Sequence, residues 1–292
     1  MKTKYWLTAA FTACALLCGC KDRPKNQPYT AIAKTPDALV PQATPKSFSL
    51  AKTMGAFGVV INGRFVSHGS SVLVDNQGYV ALSAHQILNI NANNMQVGFD
   101  GGDGNLIFSS VQVVYSNPKT DIAFARLTDP NFIAQNGLQP VNGFSGHDTF
   151  KKPAVLFAYT HDRATKVGPE LFHLHQVNAI TASYLPTYQA LNESGTKMLT
   201  FSCMMEATTD APGAPGMSGG PLFDDALNLI SVLNGGVVGK GFIFFPAGDA
   251  VQAAYNVATL HNNTAALTPR FPTTLSMTFA PPIRPLPFEC EP

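Results

Sequence analysis

Ser218 stands in TDAPGAPGMSGGPL, residues 209–222, between Met217 and the pair Gly219-Gly220, with Pro221 close behind. A serine hydroxyl attacks a carbonyl carbon poorly unless a base takes its proton and backbone N–H groups face the oxygen on which charge develops. The glycines let the main chain turn sharply and approach another molecule closely. Alone, such a segment is an ordinary glycine-rich turn. Two further residues change that reading. His85 follows SVLVDNQGYVALSA, two strand-like runs joined at Asp75 to Gly78. A lone histidine at a strand end is usually a hydrogen-bonded structural residue. Asp121 opens the apolar run to Leu127, after the turn Asn117-Pro118-Lys119-Thr120. A carboxylate entering a core costs several kcal/mol unless donors compensate it, so Asp121 needs a partner or else merely caps the turn. Taken together, His85, Asp121 and Ser218 supply a general base, its orienting carboxylate and a nucleophile.

Their order narrows the scaffold. GMSGG also satisfies the G-x-S-x-G elbow of α/β-hydrolases, but there the serine precedes the acid and the histidine, and a helix follows it. Here Pro221 and strand-like residues follow, and only His261 lies downstream. The elements that must hold the three groups are strands. Phe57–Ile61 and Phe65-Val66 flank Asn62-Gly63, a dipeptide suited to a tight hairpin. Asn89 to Asn105, ending in DGGDGN, is expected as a hairpin loop, since its spacing does not match a calcium loop. Further strands are expected at Val111–Tyr115, Ala154–Tyr159, Leu171–Ala182, Met198–Cys203, Leu227–Leu233 and Gly241–Pro246, with a surface loop over Tyr184–Gly195. Asp249–Leu260 is the one good helix candidate, capped by Asp249. His173 and His175 share a strand face, but without a third ligand they predict no metal site.

Composition excludes other classes. The 292 residues carry a net charge of +1 with no basic stripe, so nucleic acid is not an expected partner. Only 13% of residues are charged, about half the usual share, which suits an exported protein. Lys2 and Lys4 precede an uncharged stretch, Tyr5 to Gly19, too short to span a bilayer comfortably. Residues 1–19 therefore read as a signal peptide. Leu17-Cys18-Gly19-Cys20 resembles the bacterial lipobox, which implies lipidation of Cys20; Lys21 lacks the aspartate that retains lipoproteins in the inner membrane. The expectation is a lipid-anchored protein of the outer membrane, facing the periplasm or cell surface. Residues 20–47 read as a proline-rich tether and 262–292 as a proline-rich tail. Cys203 and Cys290 remain in the mature part; they either form a bridge or stay as two buried thiols.

Three segments, SVLVDNQGYVALSAHQIL, NPKTDIAFARL and TDAPGAPGMSGGPL followed by LNLISVLNGG, resemble the trypsin-like serine peptidases of the chymotrypsin fold, above all the bacterial HtrA/Deg branch. The resemblance spans roughly Phe57 to Tyr255. It implies an all-β fold of two packed antiparallel β-barrels with a short C-terminal helix: residues 48–150 carry His85 and Asp121, and residues 151–261 carry Ser218. It also implies an oxyanion hole from the N–H groups of Gly216 and Ser218, and pocket walls from Pro212, Gly213 and Ala214 and from Asn234, Gly235 and Gly236. No cofactor or metal is implied. Pro212 stands where relatives that cut after basic residues have aspartate, so the expected preference is a small or medium apolar residue. Met217 replaces the aspartate that pairs with a newly cut N-terminus in zymogen-activated relatives. PDZ domains, usual in HtrA proteins, are not expected after the helix. The expected activity is serine endopeptidase, on a protein or peptide substrate. The alternative is a catalytically silent trypsin-fold lipoprotein that binds a protein or peptide.

Overall fold

The structure is a computed structural model that describes residues 50–88, 90, 92–101, 105–145, 153–160, 173–191, 198–211, 213–214, 216–236 and 241–265. The signal peptide, the tether and residues 266–292 of the tail, with Cys20, Pro212 and Cys290, lie outside the described residues. Residues 262–265, expected in the tail, continue the C-terminal helix, which begins at Gly248 and so holds Asp249 in its first turn rather than at its cap.

Six antiparallel strands, β1 (Met54–Ile61), β2 (Arg64–Leu73), β3 (Tyr79–Ser83), β4 (Met95–Asp100), β5 (Leu106–Asn117) and β6 (Ile122–Leu127), close into a barrel in the order β1-β2-β3-β6-β5-β4. Its first hairpin turns at Asn62 and Gly63, with φ of 52° and 74°. Positive φ at both central residues is what a type I′ turn demands. Strand β4 corrects the expectation of a loop over Asn89 to Asn105. Its inward residues Met95, Val97 and Phe99 join the barrel core, so tertiary packing prevails over the glycine and asparagine around them.

β3 and residues 122–125 of β6 are buried on both faces, and within β6 only Arg126 is exposed. Val80 and Leu82, with Ala123 and Ala125, point into the barrel, while Tyr79, Ala81, Ile122 and Phe124 face a second apolar layer. This is why both strands read as continuous apolar runs without alternation. Their register pairs Ser83 with Ile122, so the chain leaving β3 and the chain entering β6 are neighbours.

The second unit is a seven-stranded sheet made of β7 (Pro153–Thr160), β8 (His173–Leu191), β9 (Met198–Thr209), β10 (Pro221–Phe223), β11 (Leu229–Val232), β12 (Gly235–Gly236) and β13 (Phe242–Pro246), in the order β11-β10-β7-β8-β9-β13-β12. Its edge strands β11 and β12 are separated in sequence only by Leu233 and Asn234. The sheet must therefore curl until its two edges meet, which is the trypsin-like arrangement. β8 also corrects an expectation: residues 184–191, expected in a loop, pair with residues 198–205 of β9. Tyr188 explains it by stacking on Phe244 at 4.2 Å between ring centroids, an apolar anchor that holds the hairpin arm to the sheet.

The C-terminal helix, Gly248–Ala265, returns to the first barrel. Val251, Ala254 and Ala258 are buried there with Tyr79 and Phe124, and Tyr255 packs edge-on to Tyr79 at 5.8 Å. No helix among the described residues is long and apolar enough to cross a membrane.

Candidate active site

His85 lies in the 3-10 turn Ala84–Ile87 directly after β3, and Asp121 directly before β6. The pairing of those strands brings them together although 36 positions separate them. Asp121 Oδ2 lies 2.8 Å from His85 Nδ1, and Oδ1 accepts the main-chain N–H of His85 at 2.8 Å. Asn234 Nδ2 donates to Oδ2 at 2.5 Å. Asp121 is only 1% exposed, and these three donors are what let a carboxylate remain there. Its φ of 55° is unusual for a residue with a side chain; this backbone also presents the Asp121 carbonyl to Ala84 N–H at 3.1 Å. The His85 side chain is 21% exposed, so the ring edge remains open to the cleft.

Ser218 comes from the other sheet, just before β10. Met217 N–H donates to Ala214 O at 3.3 Å across Gly216, whose φ is 89°. That bond closes a turn in which Gly216 takes a φ that glycine adopts without strain. Gly220 N–H then donates to Met217 O at 2.8 Å. In a trans peptide N–H and C=O point opposite ways, so Ser218 N–H faces away from Gly220. Neither Gly216 N–H nor Ser218 N–H has an acceptor among the described residues. The Ser218 hydroxyl donates to Asn234 O at 3.4 Å.

Ser218 is then tied to the histidine side. Its carbonyl accepts Ser70 N–H at 2.7 Å and Gln86 Nε2 at 3.0 Å. Ser70 Oγ reaches Gly216 O at 3.0 Å, and Ser83 Oγ donates to Leu233 O at 2.7 Å. Gly219, at φ 78°, allows this closeness, because a β-carbon there would lie 2.1 Å from Ser70 O. Met217, expected to lack the zymogen contact, is buried and takes Ala214 N–H on its sulfur at 3.2 Å.

The two expected pocket walls do approach one another. A β-carbon on Gly213 would lie 3.7 Å from Gly236 Cα. Asn234 holds its side chain on Asp121, so it offers the cleft main chain only. No group of three or more His, Cys, Asp or Glu able to hold a metal occurs among the described residues.

Residues 69–232 match the model of the trypsin-like peptidase domain. The chain belongs to that family, and by class it is a serine endopeptidase. Among solved structures it is similar to the active form of the Rv3671c protease from M. tuberculosis, with 16% identity, 81% of this chain and 92% of that chain covered, and a TM-score of 0.56. It is also similar to the HtrA-type protease AlgW crystallised with a decapeptide, with 17% identity, 72% and 65% covered, and a TM-score of 0.51. At such identities these likenesses show the fold. No curated protein sequence matches.

Sequence reasoning identified the three chemical groups and missed the residues that hold them in place. Ser70, Ser83 and Gln86 are buried polar side chains in otherwise apolar surroundings. Polar residues interrupting apolar runs beside His85 were the available signal.

Proposed function

We propose that the protein cleaves peptide bonds through an acyl-enzyme on Ser218, with His85 as general base and Asp121 orienting it. The observation that carries this reading is the contact between His85 Nδ1 and Asp121 Oδ2. Held there, Nδ1 keeps its hydrogen and leaves Nε2 as the proton acceptor. The reaction needs the Ser218 hydroxyl to turn from Asn234 O towards that nitrogen. Ser218 Oγ then bonds to the substrate carbonyl carbon while its proton passes to Nε2. The N–H groups of Gly216 and Ser218 face the oxyanion. Collapse breaks the C–N bond as His85 returns the proton to the leaving amine, and water releases the acyl group by the same steps.

The expected substrate is a protein or peptide with a small or medium apolar residue on the acyl side. The AlgW structure holds a decapeptide, which agrees with a peptide-binding cleft. The proposed location is the cell envelope, with Cys20 carrying a lipid; the lipobox-like sequence supports it, and loss of membrane fractionation in Cys20→Ala tests it.

The test of the activity is a fluorophosphonate label on the purified full chain and on Ser218→Ala. The expected result is labelling of the wild type alone. If neither chain takes label and the wild type cleaves nothing in a broad peptide library, the silent binding protein is the correct reading.

A further inference from the structure

We propose that Gln86 is a positioning residue of this reaction: its side-chain amide sets the place of Ser218 relative to His85. The inference rests on the peptidase reading above.

No covalent connection sets the distance between base and nucleophile, since Ser218 lies 132 positions from Gln86 and belongs to the other sheet. Gln86 follows His85 in the same 3-10 turn, and it is 3% exposed. Its Oε1 accepts Ser83 N–H at 2.8 Å, which fixes the amide against the start of the histidine turn. The two hydrogens of Nε2 then go to Ser70 O at 3.1 Å and to Ser218 O at 3.0 Å. Both hydrogens are used, and the oxygen has its partner, so the amide has one orientation and no spare freedom.

The far side of the same peptide is held too. Gly219 N–H donates to Leu233 O at 2.7 Å, so the Ser218–Gly219 peptide is gripped at both its oxygen and its nitrogen. The backbone makes room for the amide. A β-carbon on Gly219 would strike Gln86 Oε1, and one on Gly69 would strike Nε2. The space is shaped to one side chain. Asparagine is a methylene too short to reach across it. Glutamate has the shape but would set an acceptor against two carbonyl oxygens, and methionine has the length without the hydrogens.

Positioning has a different signature from support of the fold. A structural residue lowers the fraction of competent molecules, whereas a positioning residue slows each competent molecule with little change in substrate binding. The experiment measures the rate and the final stoichiometry of fluorophosphonate labelling, with kcat and KM on a peptide, for the full-length wild type, Gln86→Glu and Gln86→Met. We expect both variants to reach the wild-type stoichiometry, labelling and turning over about ten- to a hundred-fold more slowly, with KM within about threefold. A wild-type rate at reduced stoichiometry, or no change in either, overturns the proposal and leaves the peptidase reading intact. A wild type that never labels overturns both. Should the glutamate variant not fold, the neutral methionine variant carries the same comparison.

Discussion

Asn234 reaches both Asp121 and Ser218: its side-chain amide donates to Asp121 Oδ2 at 2.5 Å, and its carbonyl accepts the Ser218 hydroxyl at 3.4 Å. Its position follows from the curl of the second sheet. Asn234 is the second of the two residues between the edge strands β11 and β12, and its own N–H is held by Phe244 O at 3.0 Å. The residue that closes the second sheet therefore also completes the shell of the buried carboxylate in the first barrel.

Asn234→Ala should reduce kcat/KM by about ten- to a hundred-fold, because a hydrogen bond to a charged group contributes about 1.5–3 kcal/mol. Asn234→Asp should be worse, since it sets a second carboxylate against the first. Steady-state kinetics on one peptide with the three proteins decides it. Equal rates would mean that the His85 contacts alone hold Asp121.

Ser70→Ala should destabilise the fold by about 1–3 kcal/mol, the combined contribution of the two buried hydrogen bonds its hydroxyl makes. Tyr159 N–H donates to Ser70 Oγ at 2.8 Å, and the same oxygen reaches Gly216 O. Urea unfolding of the inactive Ser218→Ala background, with and without the Ser70 change, isolates the stability term. An unchanged midpoint at unchanged slope would show that the contact between the two units does not depend on this hydroxyl.

The chemistry was legible in the sequence because each reacting group sits at a strand end whose flanking residues have a strong pattern. His85 follows two apolar runs, and Asp121 interrupts the start of another. The supporting contacts were not legible, because they depend on pairings between residues more than a hundred positions apart, such as Ser83 Oγ with Leu233 O. Nothing local to Gln86 says that Ser218 will lie against it. The hairpin arm of β8 and β9 was misread for a related reason. Residues 184–191 look polar and irregular until Tyr188 meets Phe244, a contact made only when β13 is beside β9.

Stability should fall in alkali. Burial, with the hydrogen bond and charge of Asp75, pushes the Tyr255 hydroxyl far above its ordinary value, and burial with the charge of Asp100 does the same for Tyr159. Unfolding lets both ionise near pH ~10, so above that pH the unfolded chain gives up protons that the native chain keeps. The stability they contribute is fully present below about pH 10 and is lost as pH rises beyond it. A urea midpoint that is flat to about pH 9.5 and then declines is expected. Tyr255→Phe should make the decline shallower, while lowering the plateau by losing the 2.6 Å bond from Tyr255 to Asp75.

Reduction of the protein should reach the active site as well as the fold. Cys203 is fully buried and disulfide-bonded, and its φ of 58° lies in the left-handed region within strand β9. Its carbonyl takes Ala247 N–H at 2.8 Å, and the adjacent Ser202 N–H donates to Lys119 O at 2.6 Å, two residues before Asp121. The sequence left open whether Cys203 pairs with Cys290 or both stay as separate thiols; the bond at Cys203 makes Cys290 the partner to test. A bridge closing a loop of that length contributes roughly 4 kcal/mol. Non-reducing digestion should therefore yield one peptide joining Cys203 to Cys290, and Cys290→Ser should lower the urea midpoint accordingly. A Cys203 peptide joined elsewhere would reassign the bridge. If the midpoint fell while kcat stayed constant, the strand beside Lys119 would not transmit the loss to Asp121.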